Sequence, residues 1–254
     1  MPRYAVIIEY DGTPFVGWQA QAVGRSVQSC LIEAIGRLTG EHVKLQGAGR
    51  TDSGVHASGQ VAHFDLERAW PAEKIRDGLN YHLRPDPIGI VAAREVGVGF
   101  DARFSAIGRH YRYRILARKA PPILDLNRVW WVPRPLDASL MAEGARHLVG
   151  RHDFTTFRAA GCQAASPVKS LDCLEIRRTG DEITIVAGAR SFLHHQVRSI
   201  VGSLKHVGEG RWVADDIRAA LEAKDRTRCG ALAPSRGLYL VGVDYPEVAL
   251  KVAT

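Results

Sequence analysis

The sequence predicts an α+β protein of two lobes, each a mostly antiparallel sheet with helices on one face. Three observations predict it. The first hundred residues run strand, helix, strand, strand, helix, strand. From about Phe104 the composition changes, and the strand expected at 109–116 is very basic. The second half then loosely repeats the mixed pattern of the first. The lobes are assigned to 1–104 and 105–254. No short-period repeat and no low-complexity segment is present, which excludes solenoids and tails.

The elements follow from local pattern. Residues 4–10 read as a buried strand, and Asp11-Gly12-Thr13-Pro14 as turn chemistry. Ser26 is placed to cap a helix whose apolar face is Val27, Leu31, Ala34, Ile35 and Leu38, stopped by Gly40. Strands are expected at 43–48 and 59–66, flanking a glycine-bracketed loop. Pro71 opens a helix with Ile75, Leu79 and Leu83, which Pro85 and Pro87 end before a strand from Ile88. In the second lobe strands are expected at 109–116, 129–132, 168–178, 182–189 and 238–243. Helices are expected from Asp137, near 194–207 and near 214–223.

Composition sets limits. The chain of 254 residues has 34 basic and 27 acidic side chains, a formal charge of +7, which favours an anionic partner and nucleic acid first. No apolar run approaches the ~20 residues that span a bilayer. The amino terminus lacks a signal-peptide h-region, so a cytoplasmic protein is expected. Four widely spaced cysteines without a C-x-x-C pair read as reduced and structural. Neither they nor His194-His195 match a zinc-ligand spacing, so no metal site is expected.

Three constellations carry chemistry. The first is Gly49-Arg50-Thr51-Asp52-Ser53-Gly54-Val55-His56, a carboxylate and a guanidinium two residues apart between glycines. It lacks the Gly-Lys-Ser/Thr of a phosphate-binding loop. Asp52 reads as a nucleophile or general base, or as a turn residue bonded to nearby amides. The second is Arg109-His110-Tyr111-Arg112-Tyr113-Arg114 on a strand. Alternation puts Tyr111 and Tyr113 on one face, and His110, Arg112 and Arg114 on the other. It reads as base-stacking rings backed by phosphate-binding cations, or as core tyrosines backed by a solvated face. The third is the helix after Phe192, with His194, Arg198 and Lys205 along its flank. Arg198 sits near a helix start, where a cation gains nothing from the dipole; this points to an anionic partner or to an ordinary surface arginine.

Together these residues resemble the TruA family of tRNA pseudouridine synthases. The matching segments are Glu9-Tyr10-Asp11-Gly12, Gly17-Trp18-Gln19, Ser26-Val27-Gln28, Gly49-Arg50-Thr51-Asp52 with Val55-His56, and Gly59-Gln60-Val61. Further on they are Phe104-Ser105-Ala106, Tyr111-Arg112-Tyr113, Asp153-Phe154-Thr155-Thr156-Phe157, Phe192 with His194-His195 and Val197-Arg198, and Gly237-Leu238-Tyr239-Leu240. The resemblance implies the pseudouridine synthase fold and conversion of uridine to pseudouridine in the anticodon stem-loop of tRNAs. It also implies a homodimer and no cofactor. By the same resemblance Asp52 is the catalytic aspartate, and Arg50 fills the space that a departing base leaves. Tyr111 stacks on the flipped uracil, and Arg198 is the salt-bridge partner of Asp52. His56, Arg112 and His194, on matched segments, are further substrate-binding candidates. Whether Asp52 attacks C1′ or takes the C2′ proton stays open.

Two rival classes compete with this reading. A non-catalytic RNA-binding or RNA-folding protein on the same scaffold would keep the Tyr/Arg strand and make Asp52 incidental. An aspartate-nucleophile hydrolase would usually need a second acid for metal, and none lies close to Asp52 in sequence before Asp65.

Overall fold

A computed structural model describes residues 1–247 of the chain. In chain order the elements are β1 (Arg3–Tyr10), α1 (Val27–Thr39), β2 (Gln46–Gly47), β3 (His56–Asp65), α2 (Ala72–His82), β4 (Ile88–Val96) and β5 (Gly108–Ala117). There follow β6 (Trp130–Val132), α3 (Ala138–Arg146), β7 (Gly150–Asp153), β8 (Val168–Thr179), β9 (Glu182–Ala189), α4 (Gln196–Gly208), α5 (Ala214–Ala223) and β10 (Leu238–Asp244). The fold is α+β and its strand pairs are mostly antiparallel.

The chain divides into two compact units, Met1–Arg109 with the described residues from Tyr239 onward, and His110–Leu238. The last strand is therefore grouped with the first unit, whereas the sequence placed it in the second lobe. The reason is pairing: Tyr239 and Leu240 lie parallel to His56 and Ala57 of β3.

In the first unit β1 lies between β4 and β3, antiparallel to both. Tyr4, Val6, Ile8 and Tyr10 alternate along β1 and are buried, the period-2 pattern of a strand with a covered face. Helix α1 is built as its pattern demands. Ser26 accepts from the Ser29 amide in a capping box, and Gly40 closes the helix in the left-handed conformation. Asn80 of α2 clips β4 by donating to the Ile90 carbonyl at 3.0 Å and accepting from its amide at 2.7 Å. The opposite face of β1, at Ala5, packs with Ala48, Val61, Val96, Phe100 and Ala102. The segment 97–107 thus covers the sheet face that the helices leave.

β2 is shorter than the expected 43–48, because the Leu45 carbonyl is taken by the Gln28 side chain at 2.8 Å instead of a strand. In compensation β3 starts at His56 rather than 59.

In the second unit β9 lies between β5 and β8, β7 closes on β8, and β6 runs parallel to β5. Met141, Ala145, Ile200, Leu204, Val207, Ile217 and Leu221 of the helices form the core with Leu171, Ile183 and Ile185 of the strands. β7 was not foreseen; its residues Gly150-Arg151-His152-Asp153 carry no strand-like pattern. The four cysteines are free thiols. No helix among the described residues is long and apolar enough to cross a membrane.

Candidate active site

The loop carrying Asp52 leaves β2 and enters β3, and its backbone is fixed residue by residue. The Ala48 amide donates to the Val61 carbonyl at 2.7 Å, and the fully buried Gln60 side chain donates to the Gly49 carbonyl at 2.8 Å. Thr51 is held from two sides. Its carbonyl accepts from the Trp18 amide at 3.0 Å, and its hydroxyl bonds the Tyr10 hydroxyl at 2.8 Å. With Thr51 pinned inward, Arg50 is exposed and Asp52 half-buried. The Asp52 carbonyl accepts from the Val55 amide at 3.1 Å, closing a turn with Gly54 at φ 74°. A type II turn requires a positive φ at that position, which is why glycine stands there. Ser53 ties the turn's outer corner to the Phe15 carbonyl at 3.2 Å. Thr51 was not singled out from the sequence. A short polar residue flanked by Arg50 and Asp52 gives no local sign that its partners are Tyr10 and Trp18, more than thirty positions away.

His56 lies differently from a substrate-binding residue. Only 2% exposed, it stacks on Tyr239 with ring centroids 4.7 Å apart. Its Nδ1 accepts from the Gly12 amide at 3.1 Å. The Asp11 carboxylate lies 3.2 Å from the same nitrogen. His56 therefore shapes the root of the loop from inside and does not offer itself to a ligand there.

On β5 the two tyrosines part company. Tyr113 is fully buried and donates to the Pro234 carbonyl at 2.7 Å. Burial pushes its hydroxyl pKa far up, against the pull of Arg198 and Arg236. Tyr111 is half-buried, its ring set edge-on to Phe192 at 5.1 Å. The core reading thus applies to Tyr113, and Tyr111 keeps an accessible ring. The arginines separate as well. Arg109 donates to the carbonyls of Ala48 at 3.0 Å and Arg103 at 2.6 Å. Arg114 forks onto Glu182 at 2.9 and 2.8 Å and reaches Asp125 at 3.1 Å. Both are structural staples. Arg112 lies close enough to Glu182 to help hold its carboxyl below the usual range, after the larger effect of the Arg114 hydrogen bonds.

Helix α4 begins at Gln196, two residues later than expected, so His194 stands before the helix and not on its flank. The cause is His195, whose φ of 65° is left-handed and cannot continue a helix. His194 is exposed, its ring 4.0 Å from that of His195. Buried Gln196 substitutes for a cap by accepting from the Leu193 amide at 2.8 Å. Arg198 is the third helical residue, as the dipole argument required. Its Nε donates to the Ala233 carbonyl at 2.8 Å, and the Ala233 amide donates to the Arg198 carbonyl at 3.2 Å. This reciprocal pair orients the guanidinium. Lys205 is engaged elsewhere, 2.7 Å from Glu209 and over the Trp130 ring.

Cavities of about 170 Å³ beside Arg25, Cys30 and Asp86, and of about 290 Å³ beside Trp212, Thr227 and Cys229, contain none of these residues.

Comparison with known proteins agrees with the earlier resemblance. Residues 6–105 and 145–246 match the family model described as tRNA pseudouridine synthase. The chain is 59% identical over 245 residues to a protein of Xanthobacter autotrophicus named tRNA pseudouridine synthase A, covering 96% of this chain and 100% of that one. It is 60% identical over 245 residues to the protein of that name from Paramagnetospirillum magneticum, covering 96% of each. The likeness to the Azorhizobium caulinodans protein of that name is 59% over 247 residues, 97% of this chain and 96% of that one.

Proposed function

Because this chain belongs to the tRNA pseudouridine synthase family, we propose that it isomerises uridine to pseudouridine in the anticodon stem-loop of tRNAs, as a homodimer in the cytoplasm. Similarity over nearly the whole length to enzymes named for that reaction carries the reading. The fixed loop presenting Asp52 supplies it with chemistry.

In the reaction the bond from ribose C1′ to uracil N1 breaks, the uracil turns, and C5 bonds to C1′. The C5 proton leaves and N1 gains one. Substrate and product have the same atoms, so no oxidant and no hydrolytic water takes part. Asp52 is the catalytic carboxylate, adding to C1′ or removing the C2′ proton. Its pinned neighbour Thr51 holds it in place, which is the positioning such a step needs. Exposed Arg50 fills the gap left by the departing base, and the accessible ring of Tyr111 stacks on the uracil. The Tyr111 hydroxyl assists loss of the C5 proton. Arg198 serves as the salt-bridge partner of Asp52. Arg112 and His194 contact the RNA.

The deciding experiment uses unmodified tRNA tritiated at uridine C5, incubated with pure protein in EDTA, wild type beside Asp52→Ala. Tritium release by wild type alone is expected. No release from any tRNA, with binding intact, would leave an RNA-binding protein instead.

A further inference from the structure

Phe104 is 73% exposed, although burying such a ring is worth about 1.5–3 kcal/mol. Single exposed apolar side chains are common and need no explanation. This one differs in how rigidly its backbone is held. The Asp101 carboxylate accepts from the amides of Arg103 and Phe104, both at 2.8 Å, and the Asp101 amide donates to Ser105 Oγ at 3.0 Å. Buried Ala102 donates to His63 Nδ1 at 3.0 Å and accepts from the Tyr245 hydroxyl at 2.6 Å. Gln46 of β2 donates to both Asp101 carboxylate oxygens at 3.2 Å. The segment therefore holds its exposed ring in one place and is no mobile loop tip.

That place is beside the Asp52 loop. A single nitrogen, Nη2 of Arg109, donates both to the Arg103 carbonyl and to the carbonyl of Ala48, four residues before Asp52. The exposed side chain of Arg103 lies with its guanidinium 5.3 Å from the Phe104 ring centroid. An exposed ring with a cation over one of its faces keeps the other face for a base, while the cation can meet a phosphate, the two features a nucleotide presents.

We propose that Phe104 and Arg103 form a nucleotide platform next to the Asp52 loop, the ring stacking on an unstacked base of the substrate tRNA and the guanidinium meeting an adjoining phosphate. This rests on the reading of the chain as an enzyme of tRNA and adds a substrate contact to it.

The test measures tRNA affinity across a salt series, and tritium release, for wild type, Phe104→Ala, Phe104→Tyr and Arg103→Ala. Loss of one base stack weakens Phe104→Ala binding about 10- to 100-fold, and Phe104→Tyr recovers most of it. The slope of log affinity against log salt stays unchanged in Phe104→Ala, because no counterion release is lost, and falls by about 1 in Arg103→Ala. Melting temperature stays within about 2 °C in Phe104→Ala, as for other exposed positions. Wild-type affinity and turnover in Phe104→Ala would overturn the platform while leaving the enzyme assignment intact. Conversion of a wild-type dimer into a Phe104→Ala monomer on sedimentation would also overturn it, assigning the ring to a second copy of the chain. A wild type that neither binds tRNA nor releases tritium would remove the enzyme assignment itself, and the platform with it.

Discussion

Thr51 acts on the candidate site through two bonds that are not its neighbour's: a hydroxyl shared with Tyr10 and a carbonyl shared with Trp18. Tyr10→Phe removes the first and leaves the packing of the ring in place. A displacement of about 1 Å at a reacting group costs on the order of 100-fold in rate. Tyr10→Phe is thus expected to lower kcat by about 10- to 100-fold with KM for tRNA near its wild-type value, as steady-state kinetics would read directly. An equal rise in KM would instead make Tyr10 part of RNA binding. Arg114 and Glu182 bear on stability. The hydrogen bonds from Arg114 depress the Glu182 pKa below 4.5. A depressed carboxyl stabilises the fold above its ordinary pKa and loses that contribution as pH falls through the folded value. Glu182→Gln is expected to melt below wild type at pH 7, with the gap closing as pH drops below 4.5. A gap that persists in acid would point to packing as its source. At this scale the sequence singled out candidates more readily than it sorted buried side chains from exposed ones. Asp52, Tyr111 and Arg198 stood out by type and spacing. The division of labour between Tyr111 and Tyr113 did not, because alternation gives both the same face while Pro234 lies over only one of them.

At the scale of elements, α1 was legible to the residue, because a capping serine, a 3.6-residue stripe and a terminal glycine are all local signals. β2 and the start of β3 were not, since their limits are set by Gln28 and by Tyr239 from far along the chain. The left-handed His195 likewise escaped notice; nothing in a His-His pair announces where a helix fails to begin. The middle of α4 carries its own constraint. A side chain at Gly202 would collide with the Ala231 carbonyl, in the segment whose Ala233 orients Arg198. Overpacking of this kind costs about 1–3 kcal/mol. Gly202→Ala is expected to lower thermal stability and to cut turnover further than the unfolded fraction explains, as activity at temperatures well below melting would show. Full specific activity there would mean that Ala233 does not need its place to orient Arg198.

At the scale of the whole molecule the excess of basic residues is the relevant quantity. Each phosphate neutralised contributes about 0.9 to the slope of log affinity against log salt on duplex nucleic acid. With six or more such contacts, tRNA affinity is expected to fall about 1000-fold between 50 and 200 mM salt. A flat dependence would remove phosphate contacts as the source of affinity. The basic strand proved a poor guide to where those contacts lie, since Arg109 and Arg114 serve internal carbonyls and carboxylates. Composition reported the balance of charge; only folded contacts reveal which charges are already occupied.

The parallel pairing of Tyr239 and Leu240 with His56 and Ala57 has a consequence for biosynthesis. Translation delivers the Asp52 loop long before the strand that braces its downstream end. Until then the start of β3 lacks its neighbour, His56 lacks the ring it stacks on, and an unpaired strand edge invites non-native partners. A nascent chain can therefore assemble much of its first unit, yet the downstream end of the Asp52 loop is braced only after the second unit has been made. A chain that ends between Asp65 and Tyr239 would keep the bonds to Tyr10, Trp18 and Gln60 but lack the strand and the ring that brace His56 at the loop's downstream end.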